Sequence, residues 1–318
     1  MEMTQPPQPT ALIETHESDA AKVAIEQPRL SIGFVMPDWN NSYGVHILNG
    51  IERAANAKRV CLSVNRSYGE QTIEEDVLER MTQNNVQGLI VYPVNGEFYN
   101  TKILRLHLDH FPILFIDRYL PKISIPCIST ENEAAAHKLT HYLIELGHRH
   151  IALFSPPKED TTPLIDRFNG YVSGLQEVQY AVDPDLILFN FPTSILGDRE
   201  RRYEPANAEA IQHFFNDHPE VTAVIATEYE LAALTLRVCR SMGVRVPVDI
   251  SIACFDGPDN DSSWSVITHM RQQEQIMGQQ AVDMLIELIT HPNHPLIPSV
   301  LLPAELIVGD TTTCPPVR

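Results

Sequence analysis

The fold is indicated by one segment of the chain, RLSIGFVMPDWNNSYGVHILNGIERAA, residues 29–55. It begins with an apolar run at 30–36, which predicts a buried strand, and the run breaks at Pro37. Apolar residues then return at helical spacing through Val45, Leu48 and Ile51. Between strand and helix lies a polar and aromatic cluster, Asp38-Trp39-Asn40-Asn41-Ser42-Tyr43. A turn alone needs only residues such as Asn, Gly or Pro, so the additional side chains suggest a binding role.

Strands and helices alternate along the rest of the chain. Short β-rich runs occur at 30–36, 59–64, 88–92, 112–117, 149–154, 185–190, 222–226 and 250–255. Most are separated by segments with apolar residues at helical spacing, such as 131–146 before Gly147 and 228–242 before Gly243. This alternation predicts parallel sheets with helices on both faces. Eight such units exceed one open sheet, so we expect an α/β fold with two doubly wound lobes.

Composition limits the possible functions. The 318 residues carry a net charge of −18, which disfavours binding of this chain by itself to the phosphates of nucleic acid. No apolar run approaches the roughly 18 residues of a membrane helix, and the N-terminus lacks a signal-peptide pattern. We therefore expect a cytoplasmic protein without membrane contact. Five widely separated cysteines without a CxxC pair predict free thiols.

Polar residues follow the predicted strands. In open α/β sheets, ligands bind outside the carboxyl ends of the strands. Turn formation explains an Asn, Asp or Ser at such a place, but it does not explain Trp39, Arg118 or Arg167. The polar residues at these ends include Asp38, Asn65, Asn95, Asp117, Arg118, Ser155, Asn190, Glu228 and Asp256. Together they predict a binding cleft.

Several motifs in order resemble the effector-binding region of the LacI/GalR family of transcription regulators, from about residue 30 to 310. They are SIGFVMPDWNNSYGVHILNGIERAA, VQGLIVYP, FPILFIDR, GHRHIALF, DRFNGYVSGL, VPVDISIACFD and QQEQIMGQQAVDMLIELI. The resemblance implies two lobes joined by three crossovers, a fold shared with periplasmic sugar-binding proteins. It also implies an N-lobe of 29–129 plus 262–292, a C-lobe of 130–261 plus 293–310, a linker at 1–28 and a tail at 311–318.

The resemblance further implies which residues contact a ligand. They are Asp38, Asn40, Ser42, Tyr43, Arg118, Arg167, Glu228, Asp256 and Gln272. Trp39 is added because its flat ring can stack on the C–H surface of a sugar, although packing at a lobe edge is the simpler role. Each carboxylate has an alternative role as a helix cap. The chain departs from the family at Thr227-Glu228, Cys254 and Thr268-His269, which leaves the ligand's identity open.

The sequence thus predicts the effector domain of a bacterial regulator that binds a small carbohydrate. The resemblance implies a homodimer, with DNA contacted only through a separate N-terminal module that this chain lacks. The alternative is a sugar-binding protein of a transport system. Asp38 and Asp256 could suggest glycoside hydrolysis, but no catalytic constellation is present, and we expect neither catalysis, a cofactor nor a metal. Arg167→Ala and Asp256→Ala are expected to abolish sugar binding at nearly unchanged melting temperature.

Overall fold

A computed structural model shows how these segments assemble. It describes residues 30–39, 42–94, 100–157, 161–189, 191, 205–257, 266–291 and 298–316. The strands are β1 Leu30–Met36, β2 Val60–Arg66, β3 Gly88–Val91, β4 Ile113–Ile116, β5 Cys127–Thr130, β6 Ile151–Phe154, β7 Ile187–Leu188, β8 Ala223–Ala226, β9 Ser251–Phe255, β10 Thr268–Arg271, β11 Val300–Leu302 and β12 Glu305–Ile307. The helices are α1 Ser42–Ala57, α2 Gln71–Gln83, α3 Thr101–Leu108, α4 Asn132–Glu145, α5 Thr162–Glu177, α6 Pro205–Asp217, α7 Tyr229–Ser241 and α8 Glu274–Thr290.

The described strands form two six-stranded sheets with the same internal order. The first sheet runs β11-β5-β4-β3-β1-β2, and the second runs β12-β10-β9-β8-β6-β7. When β6 to β10 are matched one by one with β1 to β5, the two strand orders are the same, so β9 occupies the position of β4. All pairs in the first sheet are parallel, and in the second only β10 and β12 are antiparallel. The predicted two-lobed α/β fold is confirmed.

The central strands of each sheet are buried on both faces, as is typical of parallel sheets. In the first lobe, β3 (GLIV) and β4 (ILFI) are buried at every position, with separate apolar clusters on the two faces. The second lobe repeats this arrangement around β8 and β9. Continuous apolar runs of four residues therefore predicted these strands well. The five cysteines, all within the described ranges, are free thiols as predicted.

Glycines allow two helix pairs to approach closely. A Cβ atom at Gly170 of α5 would lie 2.1 Å from the carbonyl oxygen of Glu133 in α4. In the first lobe, a Cβ at Gly50 of α1 would lie 2.2 Å from the carbonyl oxygen of Gln275 in α8. These distances are far below van der Waals contact, so only glycine permits this packing. The predicted helix ends at Gly147 and Gly243 are confirmed, since both have positive φ, at 101° and 75°.

Two of the crossovers between the lobes do not lie at the predicted lobe boundaries. Range 262–292 was assigned to the N-lobe, but β10 pairs with β9 in the second sheet, and only α8 returns to the first lobe. Range 293–310 was assigned to the C-lobe, but β11 pairs with β5 in the first sheet. The chain therefore crosses after Thr130, after Arg271 and after Leu302 in the described residues. The β-rich runs found in the sequence include neither β10 nor β11, and local sequence carries no information on which sheet accepts them.

The predicted C-terminal tail, which is described as far as residue 316, is docked on the second lobe through Thr311 and Thr313. The Ile252 N–H donates to the carbonyl oxygen of Thr311 over 2.8 Å, and the Thr313 N–H donates to Ser251 Oγ over 3.0 Å. The buried ring of His148 contacts Thr222 Oγ1 at 2.9 Å and the Thr313 carbonyl oxygen at 2.9 Å. The predicted linker at 1–28 and residues 317–318 lie outside the described residues.

Candidate functional site

The carboxyl ends of the two sheets enclose a cavity between the lobes, called the cleft below. Its volume is about 60 Å³. Seven of the ten predicted ligand residues line it: Ser42, Tyr43, Arg118, Arg167, Glu228, Asp256 and Gln272. Strand order explains the convergence, because β3 and β4 of one lobe and β8 and β9 of the other end at this surface.

Two aspartates occupy equivalent positions in the lobes. Asp117 follows β4, and Asp256 follows the corresponding strand β9. Both have left-handed backbones, with φ of 66° and 64°, which Asp tolerates better than most residues. The Asp117 N–H donates to the Ile128 carbonyl over 2.8 Å, and the Asp256 N–H donates to the Met270 carbonyl over 3.1 Å. The same turn thus presents one carboxylate from each lobe to the cleft.

A hydrogen-bonded chain links the two carboxylates. The Tyr43 hydroxyl donates to Asp117 Oδ1 and lies 3.3 Å from Gln272 Oε1. Gln272 follows β10 at a crossover, accepts from the Thr130 hydroxyl and donates through Nε2 to Asp256 Oδ1. Burial raises the pKa of Tyr43 well above its usual value, so its hydroxyl stays protonated and available as a donor. Burial also raises the pKa of Asp256.

The two cleft arginines are held differently. Arg167 is 6% exposed, and its Nε donates to Asn132 Oδ1 over 2.9 Å while Nη1 donates to the Thr227 carbonyl over 2.6 Å. Its guanidinium also lies 4.0 Å from the centroid of the Phe255 ring. These contacts all lie within the second lobe, so Arg167 supports that lobe's architecture as well as lining the cleft.

The guanidinium of Arg118 has fewer hydrogen-bond partners than that of Arg167. It is 5% exposed, its Nη1 donates to the Pro93 carbonyl over 3.4 Å, and its guanidinium lies 5.1 Å from the centroid of the Tyr92 ring. In the described part of the chain its Nε has no hydrogen-bond partner. A buried donor left unpaired costs about 1–3 kcal/mol, so a ligand that accepted from it would recover that free energy.

Two predicted contacts are not brought into the cavity, and a third lies outside the described residues. Asp38 pairs with Arg66, with Oδ1 and Nη1 3.2 Å apart. The centroid of the Trp39 ring lies 4.5 Å from the same guanidinium. Asp38 and Trp39 therefore both contact Arg66, and neither lines the cleft. Asn40 lies outside the described residues, as does Trp264. The cluster after β1 therefore divides, with Ser42 and Tyr43 reaching the cleft from the start of α1.

The sequence-based residue set omitted several lining groups. The main omissions are Tyr92, Asp117, Thr161, Tyr229 and Glu230. Asp117 was recognised as a polar residue at a strand end, as Asp256 was, and that position was the available signal. Tyr92 gives no such signal, because an aromatic residue after an apolar strand is more typical of a core position. Burial raises the pKa of Tyr92 well above its usual range, so it remains a neutral hydroxyl.

The described residues show neither a metal-like cluster nor a membrane helix. No group of three or more His, Cys, Asp or Glu side chains there has an arrangement that could hold a metal ion. No helix among them combines the length and the apolar character needed to cross a bilayer.

Comparison with known proteins identifies the family. A model of the periplasmic binding protein-like domain matches residues 140–312. The arabinose metabolism transcriptional repressor of Geobacillus stearothermophilus is 30% identical over 288 residues, which cover 89% of this chain and 76% of that protein. The chain belongs to the effector-binding domains of the LacI/GalR family. A further LacI/GalR-type relative, the HTH-type transcriptional regulator KdgR of Bacillus subtilis, is 24% identical over 265 residues, covering 81% and 73% of the two chains.

Solved structures of LacI/GalR regulators share the fold. The transcription regulator CcpA of Lactococcus lactis matches with a TM-score of 0.75 and 20% identity, over 89% of this chain and 99% of that one. A LacI-family regulator of Enterococcus faecium, solved with bound ribose, matches with a TM-score of 0.72 and 20% identity, again over 89% and 99%. At this identity the likeness shows the fold alone.

Proposed function

We propose that this chain is the ligand-sensing domain of a bacterial transcription regulator and binds a small carbohydrate in the cleft. The observation that carries the proposal is the buried, unpaired Nε of Arg118 beside two opposed carboxylates. Sugar hydroxyls both donate and accept, so one ring can accept from Arg118 and donate to Asp117 and Asp256. The named regulators among its relatives, such as the arabinose repressor, favour this reading over transport or catalysis.

The size of the cavity supports a sensor that opens and closes. A volume of about 60 Å³ holds about four to six waters at roughly 10–15 Å³ each. It is well below the roughly 300 Å³ at which ligand pockets begin. Opening would separate Tyr119 of the first lobe from α5 of the second, where its N–H donates to Thr162 Oγ1 and its hydroxyl donates to Asp166 Oδ1, both over 3.2 Å.

A sugar would act by bridging the lobes in place of these direct contacts. It shifts the balance between lobe arrangements only by its difference in affinity for them. Because Asp117 and Asp256 belong to different lobes, a ligand bonded to both favours one closed geometry. In the regulator this change would be passed to DNA-binding modules, since a chain of net charge −18 is poorly suited to contact DNA itself.

We further propose a homodimer, which would convert lobe movement into a change of spacing between modules. Val45 on α1 and Ile276 on α8 are 37% and 43% exposed, on helices that pack against each other through Gly50. Exposed apolar groups on paired helices suit an interface better than solvent. Light scattering of wild type and Ile276→Glu tests this, with a dimer expected only for wild type. A monomeric wild type would refute it.

The sensor proposal is tested by calorimetric titration with pentoses, hexoses and disaccharides. Arg118→Met keeps an aliphatic stem in the cavity but removes the unpaired donor, and Arg105→Met on the exposed face of α3 is the matched control. We expect one sugar to bind wild type and the control, with affinity at least tenfold weaker for Arg118→Met. No binding by any sugar would refute the carbohydrate proposal. Equal affinity in all three proteins would refute the location.

A further inference from the structure

The described lining of the cleft has a surplus of negative charge. Four carboxylates line it against two guanidinium groups: Asp117, Glu228, Glu230 and Asp256 against Arg118 and Arg167. Glu274, at the start of α8, lies close enough for both aspartates to contribute to its raised pKa, about 7, of which burial is the largest cause. A ligand in the cleft is therefore surrounded by more negative than positive side chains.

The two arginines differ in how far they are already engaged by the protein. Arg167 already donates from two nitrogens, to Asn132 and to the Thr227 carbonyl, and lies over the Phe255 ring. The Nε of Arg118 lies 3.9 Å from Asp117 Oδ2, so the neighbouring carboxylate already offsets its charge. Recognition of a carboxylate or phosphate by a guanidinium is frequently bidentate, through two parallel N–H groups, and each such pair in Arg167 already has one nitrogen engaged.

The carboxylates, by contrast, suit a ligand that donates hydrogen bonds. Ionised carboxylates are acceptors only, and Asp117 and Asp256 approach the cleft from opposite lobes. Burial is the main cause of the raised pKa of Asp256, and the charge of Asp117 adds to it. A third negative charge between them would be repelled by both in a medium that screens poorly, whereas a hydroxyl can donate to each.

We propose that the cleft selects an uncharged polyhydroxylated ligand and rejects sugar acids and sugar phosphates, with Asp117 and Asp256 as the residues that set this selectivity. The inference rests on the proposed carbohydrate-sensing function. It names a ligand class that the compared proteins leave open, and it assigns Asp117 a role that strand equivalence with Asp256 supports.

The test compares neutral sugars with their anionic counterparts. Calorimetric titrations at pH 7.5 use L-arabinose against L-arabinonate, D-ribose against D-ribose 5-phosphate, and D-glucose against D-gluconate. Wild type is expected to bind one neutral sugar at least tenfold more tightly than its anionic counterpart. Asp117→Asn and Asp256→Asn keep the side-chain shape and remove one charge. Each is expected to weaken binding of the neutral sugar and to narrow its preference over the anion by about tenfold.

A matched control separates the local charge from the overall charge. Asp109→Asn, exposed at the end of α3, makes the same change far from the cleft and is expected to keep the wild-type ratio. Urea unfolding midpoints verify that each variant is folded, and either cleft variant suffices if the other is not.

Each outcome has a distinct meaning. Wild type that binds an acid or phosphate as tightly as its neutral counterpart overturns the inference and leaves the sensor proposal standing. An unchanged ratio in a folded Asp117→Asn or Asp256→Asn variant overturns the assigned role of that residue. Failure of wild type to bind any of the six compounds counts against the sensor proposal and the inference together.

Discussion

Replacement of Glu74 by glutamine is expected to remove a defined part of the pH dependence of stability. Glu74 lies on α2 and is fully buried, with Oε1 accepting from the Val94 N–H over 2.8 Å and Oε2 accepting from Asn100 Nδ2 over 2.7 Å. Burial raises its pKa to about 7, although both hydrogen bonds and the charge of Arg118 oppose the shift. Glu74 thereby fixes both ends of the loop after β3, next to the cleft.

The sign and magnitude follow from the two protonation states. The carboxyl has a pKa of about 7 when folded, against about 4.5 in its ordinary state, so the folded protein binds this proton more tightly. Its contribution to stability is fully present below pH about 4.5 and is lost as pH rises through about 7. One pKa unit corresponds to about 1.4 kcal/mol, so this group should lower the free energy of unfolding by roughly 1 kcal/mol between pH 6 and pH 8.

Urea unfolding at pH 6 and pH 8 measures this contribution. The difference in unfolding free energy between the two pH values is expected to be roughly 1 kcal/mol smaller in Glu74→Gln than in wild type. Asp76→Asn, which removes an exposed carboxylate of the same helix, is expected to keep most of the wild-type difference. If Glu74→Gln retained the full wild-type pH dependence, the burial argument for this carboxyl would be refuted.

Three further predictions concern packing and buried polar groups. Gly170→Ala should lower the free energy of unfolding by about 2 kcal/mol, because the new Cβ meets the α4 backbone. Ser173→Ala on the same helix should change this free energy little. Equal urea midpoints for the two variants would contradict the prediction. Arg167→Met should cost about 3 kcal/mol in the same assay, through two lost charged hydrogen bonds, which replaces the sequence-based expectation of an unchanged melting temperature. Burial lowers the pKa of His148, so its contribution to stability should be present above pH about 6.5 and be lost as pH falls below that value. In His148→Gln, the free energy of unfolding should therefore fall less over this acidic range than in wild type.

Much of the fold could be predicted from local sequence. Strands such as β3 and β4 are continuous apolar runs, since a parallel sheet is covered on both faces. The predicted helices at 131–146 and 228–242 correspond to Asn132–Glu145 and Tyr229–Ser241, with ends fixed by Gly147 and Gly243. These features depend on neighbours within a few residues, and so periodicity and glycine placement reveal them.

Pairings and contacts between residues far apart in the sequence could be determined only from the tertiary structure. The sheet to which β10 and β11 belong depends on pairing partners elsewhere in the chain, not on the apolar pattern of either strand. The sequence indicated a cleft and seven of its lining residues, but it grouped Asp38 with them. The ion pair that holds Asp38 outside the cavity involves Arg66, at the end of another strand. The equivalence of Asp117 and Asp256 likewise emerges only when the two sheets are compared, because spatial strand order is a property of the assembled lobes.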